Sequence, residues 1–86
     1  MQNVTIYTKS TCGYCQMAKA LLAQKSVPFT EIDVSDPAGQ RAMAAKAGRS
    51  SVPQIYIGAT HVGGCDELRA LERAGRLDAL LAGTVT

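Results

Sequence analysis

Two cysteines separated by two residues, Cys12 and Cys15, are the residues of this chain best suited to chemistry. They follow an alternating run of β-forming residues, 4–7, and precede a helical pattern of apolar and small side chains. A strand that leads into a helix through C-x-x-C is the context in which this motif indicates a redox-active dithiol. One helical turn separates the two sulfurs, so they are close enough to form a disulfide.

The two cysteines are predicted to have unequal roles. Cys12 falls at or just before the first helical turn, where unpaired backbone N–H groups and the positive end of the helix dipole stabilise a thiolate. Lys9 adds a cation three residues upstream. We therefore expect Cys12 to be the attacking thiolate and Cys15, which the helix screens from solvent, to be the resolving thiol.

Two alternatives to a redox dithiol remain open at this point. The cysteines could be small apolar residues of the core, or they could bind zinc together with His61 and Cys65, which lie four positions apart. Against zinc, the first pair opens a long helix instead of a tight metal knuckle, and a chain with this much patterned apolar sequence needs no metal to fold. His61 is predicted to be a strand residue that faces solvent or the edge of the third helix.

The segments around the cysteines predict alternating strands and helices. Strands are expected at 4–7, 29–34, 53–57 and 60–62, the last two joined by a tight turn at 58–59. Helices are expected from 12 or 13 to 24 or 25, at 38–47 and from about 66 to Gly75, followed by a last helical turn at 77–81. The first strand and the second should pair in parallel through a crossover helix. One face of the first helix is predicted to hold Tyr14, Ala18, Leu21 and Leu22 at helical spacing.

Five residues are predicted to set the helix ends. Thr11 is expected to cap the first helix through its hydroxyl group. Asp36 and Pro37 are typical of the N-cap and first position of the second helix, and Gly48 is the expected C-terminal glycine. Asp66 is expected to cap the third helix.

Composition and charge restrict the function further. Eighty-six residues with 47% hydrophobic content predict one small domain that spans 1–86. Nine basic and seven acidic residues are dispersed and give a net charge of +2, a balance that carries no signal for nucleic acid or membrane binding. Three cysteines are too few for a disulfide-dense secreted scaffold, and the first residues lack the basic and apolar regions of a leader. A cytoplasmic location is expected.

Three separated motifs resemble those of the glutaredoxin family, specifically its small bacterial dithiol members. They are C-G-Y-C at 12–15 after a strand, S-V-P at 51–53 before the third strand and G-G-C-D at 63–66 at the start of the third helix. The resemblance covers nearly the whole chain. It implies a thioredoxin-like α/β fold, with a four-stranded mixed β-sheet flanked by helices in the order β-α-β-α-β-β-α.

The same resemblance implies an activity. The family members reduce protein–glutathione mixed disulfides and protein disulfides, so this chain is expected to be a glutathione-dependent thiol–disulfide oxidoreductase that works through Cys12 and Cys15. Glutathione would be the reductant, with no tightly bound cofactor and no metal, and a glutathione reductase would act upstream. The chain is expected to be a monomer.

The family's glutathione site maps onto separate parts of the chain. The resemblance implies that Val52 pairs its backbone with the cysteine backbone of glutathione, next to Pro53, which resembles the family's cis-proline. Gly64 would let the chain approach the ligand, and the amides of the third helix would bind the γ-glutamyl carboxylate. Asp66 would contact the ligand's ammonium group.

The resemblance implies further glutathione contacts. Lys9 and Gln40 match family residues that hold the glycine carboxylate, and Tyr14 could flank the ligand sulfur. Cys65 would contribute its amide, while its thiol would be a bystander. The remaining candidates are Ser51, Arg41 and Arg49.

Two positions depart from the family's pattern. Dithiol members usually carry proline where this chain has Gly13, and Ser51 replaces the commoner threonine. Glycine at 13 also resembles the C-G-F-S monothiol relatives, which hold a [2Fe-2S] cluster between two subunits with glutathione as co-ligand. Cys15 stands in place of their serine and favours dithiol catalysis, but a cluster carrier remains the alternative function. A thioredoxin is disfavoured because the chain has no tryptophan beside the motif and carries G-G-C-D at 63–66.

Overall fold

Four strands and four helices lie along residues 2–83, the part of the chain that the computed structural model describes. The strands are β1 (Val4–Thr8), β2 (Thr30–Asp33), β3 (Gln54–Ile57) and β4 (Thr60–Gly63). The helices are α1 (Gly13–Gln24), α2 (Pro37–Ala47), α3 (Cys65–Arg73) and α4 (Leu77–Ala82). No helix within this range has the length and apolar character needed to cross a membrane.

The four strands form one mixed sheet in the order β2-β1-β3-β4. β1 and β2 pair in parallel, with α1 as the connection between them, whereas β3 runs antiparallel to β1 and β4 antiparallel to β3. This arrangement confirms the predicted thioredoxin-like α/β fold. It also places the end of β1 next to the start of β3, because Tyr7 pairs with Gln54. The Cys12 loop and the loop before β3 therefore meet at one edge of the molecule.

The core lies between the central strands and the helices. β3 is buried at all four positions, as expected for a central strand, whereas β2 is an edge strand whose four residues are exposed. The second strand was predicted at 29–34, which is one residue longer at each end than the observed β2. The main core residues outside β3 are Val4, Ile6, Ala18, Leu22, Val27, Leu68, Leu77 and Leu81.

The second helix begins and ends as predicted. The Asp36 carboxylate accepts a hydrogen bond from the Gly39 amide at 3.0 Å, and Pro37 occupies the first helical turn. Gly48 adopts the left-handed conformation at φ +71°, which a residue without a Cβ reaches without strain. The Gly48 amide donates to the carbonyl of Ala44.

Two of the predicted N-caps are wrong. Thr11 does not cap α1, because Cys12 itself occupies the N-cap and its sulfur accepts the Cys15 amide. Asp66 does not cap α3, because the N-cap is Gly64, two residues earlier. The Glu67 carboxylate instead accepts the Gly64 amide at 2.6 Å.

Tyr14 was expected to share one face of α1 with Ala18, Leu21 and Leu22, and the structure does not bury it with Ala18 and Leu22. Its side chain is 61% exposed. The buried stripe of α1 consists of Cys15, Ala18 and Leu22, so it is centred one residue later than Tyr14 at the start of the helix. Cys15 takes the inward position, and Tyr14 is left at the surface beside the cysteine pair.

Candidate active site

Cys12 lies where β1 has ended and α1 begins. Its backbone is extended at φ −96° and ψ 112°, and its amide donates to the carbonyl of Lys9 at 3.2 Å, which closes the turn between the two elements. The Cys12 sulfur accepts the Cys15 amide at 3.1 Å. Because the first amides of a helix have no acceptor within it, a sulfur in this position completes the helix and is stabilised when it is negative. Cys12 is also partly exposed, so a substrate can reach it.

The loop before β3 supplies the second neighbour of this sulfur. The Val52 carbonyl oxygen lies 3.7 Å from the Cys12 sulfur and can accept a hydrogen bond from the thiol. The Val52–Pro53 peptide bond is cis, in agreement with the likeness of Pro53 to the family's cis-proline. The sulfur thus has a donor on one side and an acceptor on the other, and the site can hold either the thiolate or the thiol.

Cys15 has the opposite environment. Its side chain is fully buried, and this burial, together with a hydrogen bond to the Cys12 side chain, raises the pKa of the Cys15 thiol to about 12. At neutral pH the Cys15 thiol is therefore protonated as long as Cys12 is not part of a disulfide. The difference in depth agrees with unequal roles for the two sulfurs.

A groove of about 140 Å³ opens next to the Val52 carbonyl. It brings together most of the residues that the sequence predicted as contacts for a ligand, from α1, from the loop before β3 and from the start of α3. Its lining consists of Tyr14, Arg49, Ser51, Val52, Pro53, Gly64, Cys65, Asp66 and Glu67.

The structure does not bring all of the predicted contacts into this groove. Lys9 contributes its carbonyl to the turn at Cys12 but does not line the groove. Gln40 and Arg41 line a separate depression on α2, together with Ser50. Because Ser50 and Ser51 are consecutive, the two depressions are next to each other along the chain.

Sequence reasoning missed Glu67. Its carboxylate accepts the Gly64 amide and lies 3.5 Å from the guanidinium of Arg49. The hydrogen bond from Gly64, helped by the Arg49 charge, holds the pKa of Glu67 below its usual range. A glutamate three residues after the N-cap is one half of a capping box, and this spacing from Gly64 was the available signal. The amides of Cys65 and Asp66 lie in the same first turn, where a helix offers them no acceptor.

The geometry gives no support to a zinc site. Cys65 is 4% exposed at the first position of α3, and burial raises the pKa of its thiol. The ring of His61 on β4 bonds to Gln54 and not to a cysteine. Across residues 2–83, no group of three His, Cys, Asp or Glu side chains is arranged to hold a metal ion.

Comparison with known proteins identifies relatives over nearly the whole chain. A family model described as glutaredoxin matches residues 4–62. The chain is 58% identical to a glutaredoxin of Pseudomonas aeruginosa over 83 residues, which are 95% of this chain and 99% of the relative. It is 54% identical to glutaredoxin 3 of Escherichia coli over 82 residues, covering 94% and 99% of the two chains. The solved structure of a buckwheat glutaredoxin–glutathione complex matches with a TM-score of 0.85 and 30% identity, over 99% of this chain and 83% of that one.

Proposed function

This chain belongs to the glutaredoxin family, and we propose that it uses the groove beside Val52 to bind glutathione. Members of the family are glutathione-dependent thiol–disulfide oxidoreductases, and the active-site pair of this chain is Cys12 and Cys15. One observation carries the proposal. The Cys12 sulfur lies at the start of a helix, 3.1 Å from the Cys15 amide and 3.7 Å from the carbonyl of Val52, a residue that lines the groove. A glutathione sulfur beside Val52 would therefore be next to the nucleophile.

Each end of glutathione finds suitable chemistry at the groove. The Val52 backbone would pair with the central cysteine of the tripeptide, as in the addition of a short strand. The γ-glutamyl carboxylate would accept the Cys65 and Asp66 amides at the start of α3, and the Asp66 carboxylate would bind the ammonium group. The Gly64 amide is engaged by Glu67, so its contribution would be close approach of the backbone.

The other end of the ligand would extend away from α3. Lys9 and Gln40 would hold the glycine carboxylate, with Arg41 near Gln40 as a further cation. Arg49 lines the groove but lies beside Glu67 at the start of α3. Tyr14 would cover the sulfur from the α1 side, and Ser51 and Pro53 would shape the wall. The buckwheat relative, solved as a glutathione complex, supports this ligand for a chain of the same fold.

The monothiol route uses Cys12 alone. Its thiolate attacks the glutathione sulfur of a protein–glutathione mixed disulfide, and the protein leaves as a thiol. Cys12 is then glutathionylated. A second glutathione thiolate attacks this disulfide, releases oxidised glutathione and restores the Cys12 thiolate.

The dithiol route also uses Cys15. Cys12 attacks a protein disulfide, and Cys15 then displaces the substrate sulfur to leave a Cys12–Cys15 disulfide that glutathione reduces. When Cys12 is in a mixed disulfide, its charge and its hydrogen bond no longer raise the pKa of Cys15. Cys15 therefore becomes more acidic at the stage at which it must attack. Glutaredoxins have potentials of about −200 to −230 mV, within reach of the glutathione pool.

The physiological setting follows from this chemistry. The substrates would be glutathionylated or disulfide-containing proteins in the cytoplasm, and a glutathione reductase would regenerate the reductant. The chain would act as a monomer, and the proposed steps need no group from a second copy.

The test is glutathione-coupled reduction of a small mixed disulfide by the wild type, Cys12→Ser and Cys15→Ser. We expect Cys12→Ser to lose about 100-fold or more in rate, because it lacks the nucleophile, and Cys15→Ser to keep substantial activity. Activity in Cys12→Ser would contradict the mechanism. A brown, dimeric sample isolated without oxygen, with weak turnover, would instead favour the cluster carrier.

A further inference from the structure

A line of hydrogen bonds outside the cysteine pair ends at the loop that faces Cys12. Gln54 is completely buried at the start of β3, and its amide nitrogen donates to the Ser51 carbonyl at 2.9 Å and to the Ser51 hydroxyl at 3.3 Å. Its amide oxygen lies 2.7 Å from Nε2 of His61. Because an amide oxygen only accepts, His61 must carry a proton on Nε2 and donate it to Gln54.

The ring of His61 is itself held in place. It stacks on Tyr56, with ring centroids 4.7 Å apart and an interplanar angle of 18°. The two residues pair across β3 and β4, and Tyr56 is buried. The stacking therefore aims Nε2 at the Gln54 oxygen, even though His61 lies in the exposed first half of the edge strand β4.

This donation affects the orientation of Gln54. With His61 as donor, the buried amide of Gln54 has a partner at each end, and only one of its two orientations satisfies both. Without the donor, the amide oxygen would be buried and unpaired, and the amide would have to turn or shift to recover a partner. Either movement would release Ser51.

Ser51 is the residue before Val52. The Val52 carbonyl is the acceptor for the Cys12 thiol, and the Val52 backbone is the proposed pairing partner of glutathione. A loosened Ser51 would leave this backbone free to adopt several positions, and a ligand that pairs with it would have to order it on binding.

We propose that His61 is a positioning residue for the glutathione site, which acts through Gln54 to hold the loop at Ser51 and Val52. This inference rests on the proposed function, because it assigns His61 to the same site. His61 acts on the binding of the glutathione moiety through the Val52 backbone, and its own hydrogen bond goes to Gln54 and not to Cys12.

Two variants separate the hydrogen bond from the stacking. His61→Phe keeps a ring to stack on Tyr56 but has no donor, whereas His61→Gln keeps an N–H donor and loses the ring. We expect His61→Phe to raise KM for a glutathionylated peptide about five- to tenfold, with kcat within about twofold of wild type, because the lost binding is common to the ground state and the transition state. His61→Gln should recover most of the wild-type KM. Thr60→Ala, on the same edge strand, should behave as wild type.

A second measurement follows the loop directly. Amide hydrogen exchange at Ser51 and Val52 in the free reduced protein should be faster in His61→Phe than in the wild type or His61→Gln. A wild-type KM in His61→Phe would overturn the proposal, and so would equal losses in the Phe and Gln variants. The Cys12→Ser assay tests the proposed function separately, so an active wild type with an unchanged His61→Phe would refute the positioning role alone.

Discussion

The starts of α1 and α3 both carry a cysteine near the groove, but only at α1 does the cysteine sulfur cap the helix. At α1 the sulfur of Cys12 is the cap, it accepts the amide of Cys15, and no acidic residue follows in the first turn. At α3 the Glu67 carboxylate accepts the Gly64 amide, and Asp66 also lies in the first turn. Cys65 lies between Gly64 and Asp66, and its burial raises the pKa of its thiol.

The difference shows that a position at a helix start does not by itself make a cysteine nucleophilic. The group that occupies the cap decides the chemistry. Where a sulfur is the cap, negative charge on the sulfur completes the helix; where a carboxylate has that role, the helix gains nothing from a thiolate. The start of α1 is thus suited to hold a nucleophile, and the start of α3 is suited to offer amides to an anionic ligand.

The largest expected difference between the two helix starts is in the rate at which their cysteines, Cys12 and Cys65, are alkylated. In reduced protein at pH 7, iodoacetamide should modify Cys12 about 100-fold or more faster than Cys65, because Cys12 is accessible and stabilised as a thiolate while Cys65 is buried. Peptide mass spectrometry over a time course measures both rates. Cys65→Ala should keep the fast reaction and Cys12→Ser should abolish it. Comparable rates at the two cysteines would show that the cap does not distinguish them.

An intermediate effect is expected when the carboxylate cap loses its charge. Glu67→Gln should lower the free energy of unfolding at pH 7 by about 0.5–1 kcal/mol, a small value because this side chain is half-exposed and solvent screens its charge. The folded state lowers the pKa of Glu67, so its charge stabilises the protein above the unfolded pKa of about 4.3 and this contribution is lost as the pH falls through the folded pKa. Urea unfolding at pH 7 and pH 3 measures the difference.

The matched control for this measurement is Asp66→Asn. Asp66 lies in the same first turn but does not cap the helix, so its replacement should cost less at pH 7. If the difference between wild type and Glu67→Gln were as large at pH 3 as at pH 7, the charge of the cap would not be its source.

The smallest expected effect is a change in stability at Gly13, the residue that follows the N-cap Cys12. Gly13 is the first residue of α1, a Cβ there would meet nothing within 4 Å, and Cys12 already has the extended backbone that precedes proline. Gly13→Pro should therefore raise the free energy of unfolding by about 0.4–1 kcal/mol, mainly by restricting the unfolded chain. Urea unfolding measures it, with Gly13→Ala as the control for the added Cβ. Destabilisation, or slower alkylation of Cys12, would show that the cap needs the freedom of glycine.

The parts of this molecule that local sequence encodes could be predicted. The alternation in β1, the Asp36–Pro37 helix start, Gly48 and the C-x-x-C spacing act within a few residues, and they led to the correct fold and cysteine pair. The two wrong caps were also local. At α1 a sulfur competes with the hydroxyl of Thr11 one position earlier. At α3 the N-cap is two residues before the predicted one, at Gly64, and this shift moves the capping role from Asp66 to Glu67.

Contacts between distant segments could not be predicted. The ion pair of Glu67 with Arg49 joins positions 18 apart, and the hydrogen bond of His61 to Gln54 depends on the hairpin register and the irregular pairing within it. The same limit applies to Gln40, whose place relative to the groove depends on how α2 packs. Such contacts are set by tertiary packing, which no short pattern contains.

The burial of Cys15 sets the order in which oxidants meet the two sulfurs. A reagent in solution reaches Cys12 first, because Cys15 lies fully inside the protein. If a peroxide converts Cys12 to a sulfenic acid, the neighbouring thiol is already one turn away and can condense with it to a disulfide before a second oxidant molecule arrives. Cys15 is thus protected from the oxidant by burial and remains a thiol close to Cys12, so that oxidation of Cys12 stops at a disulfide that glutathione can reduce.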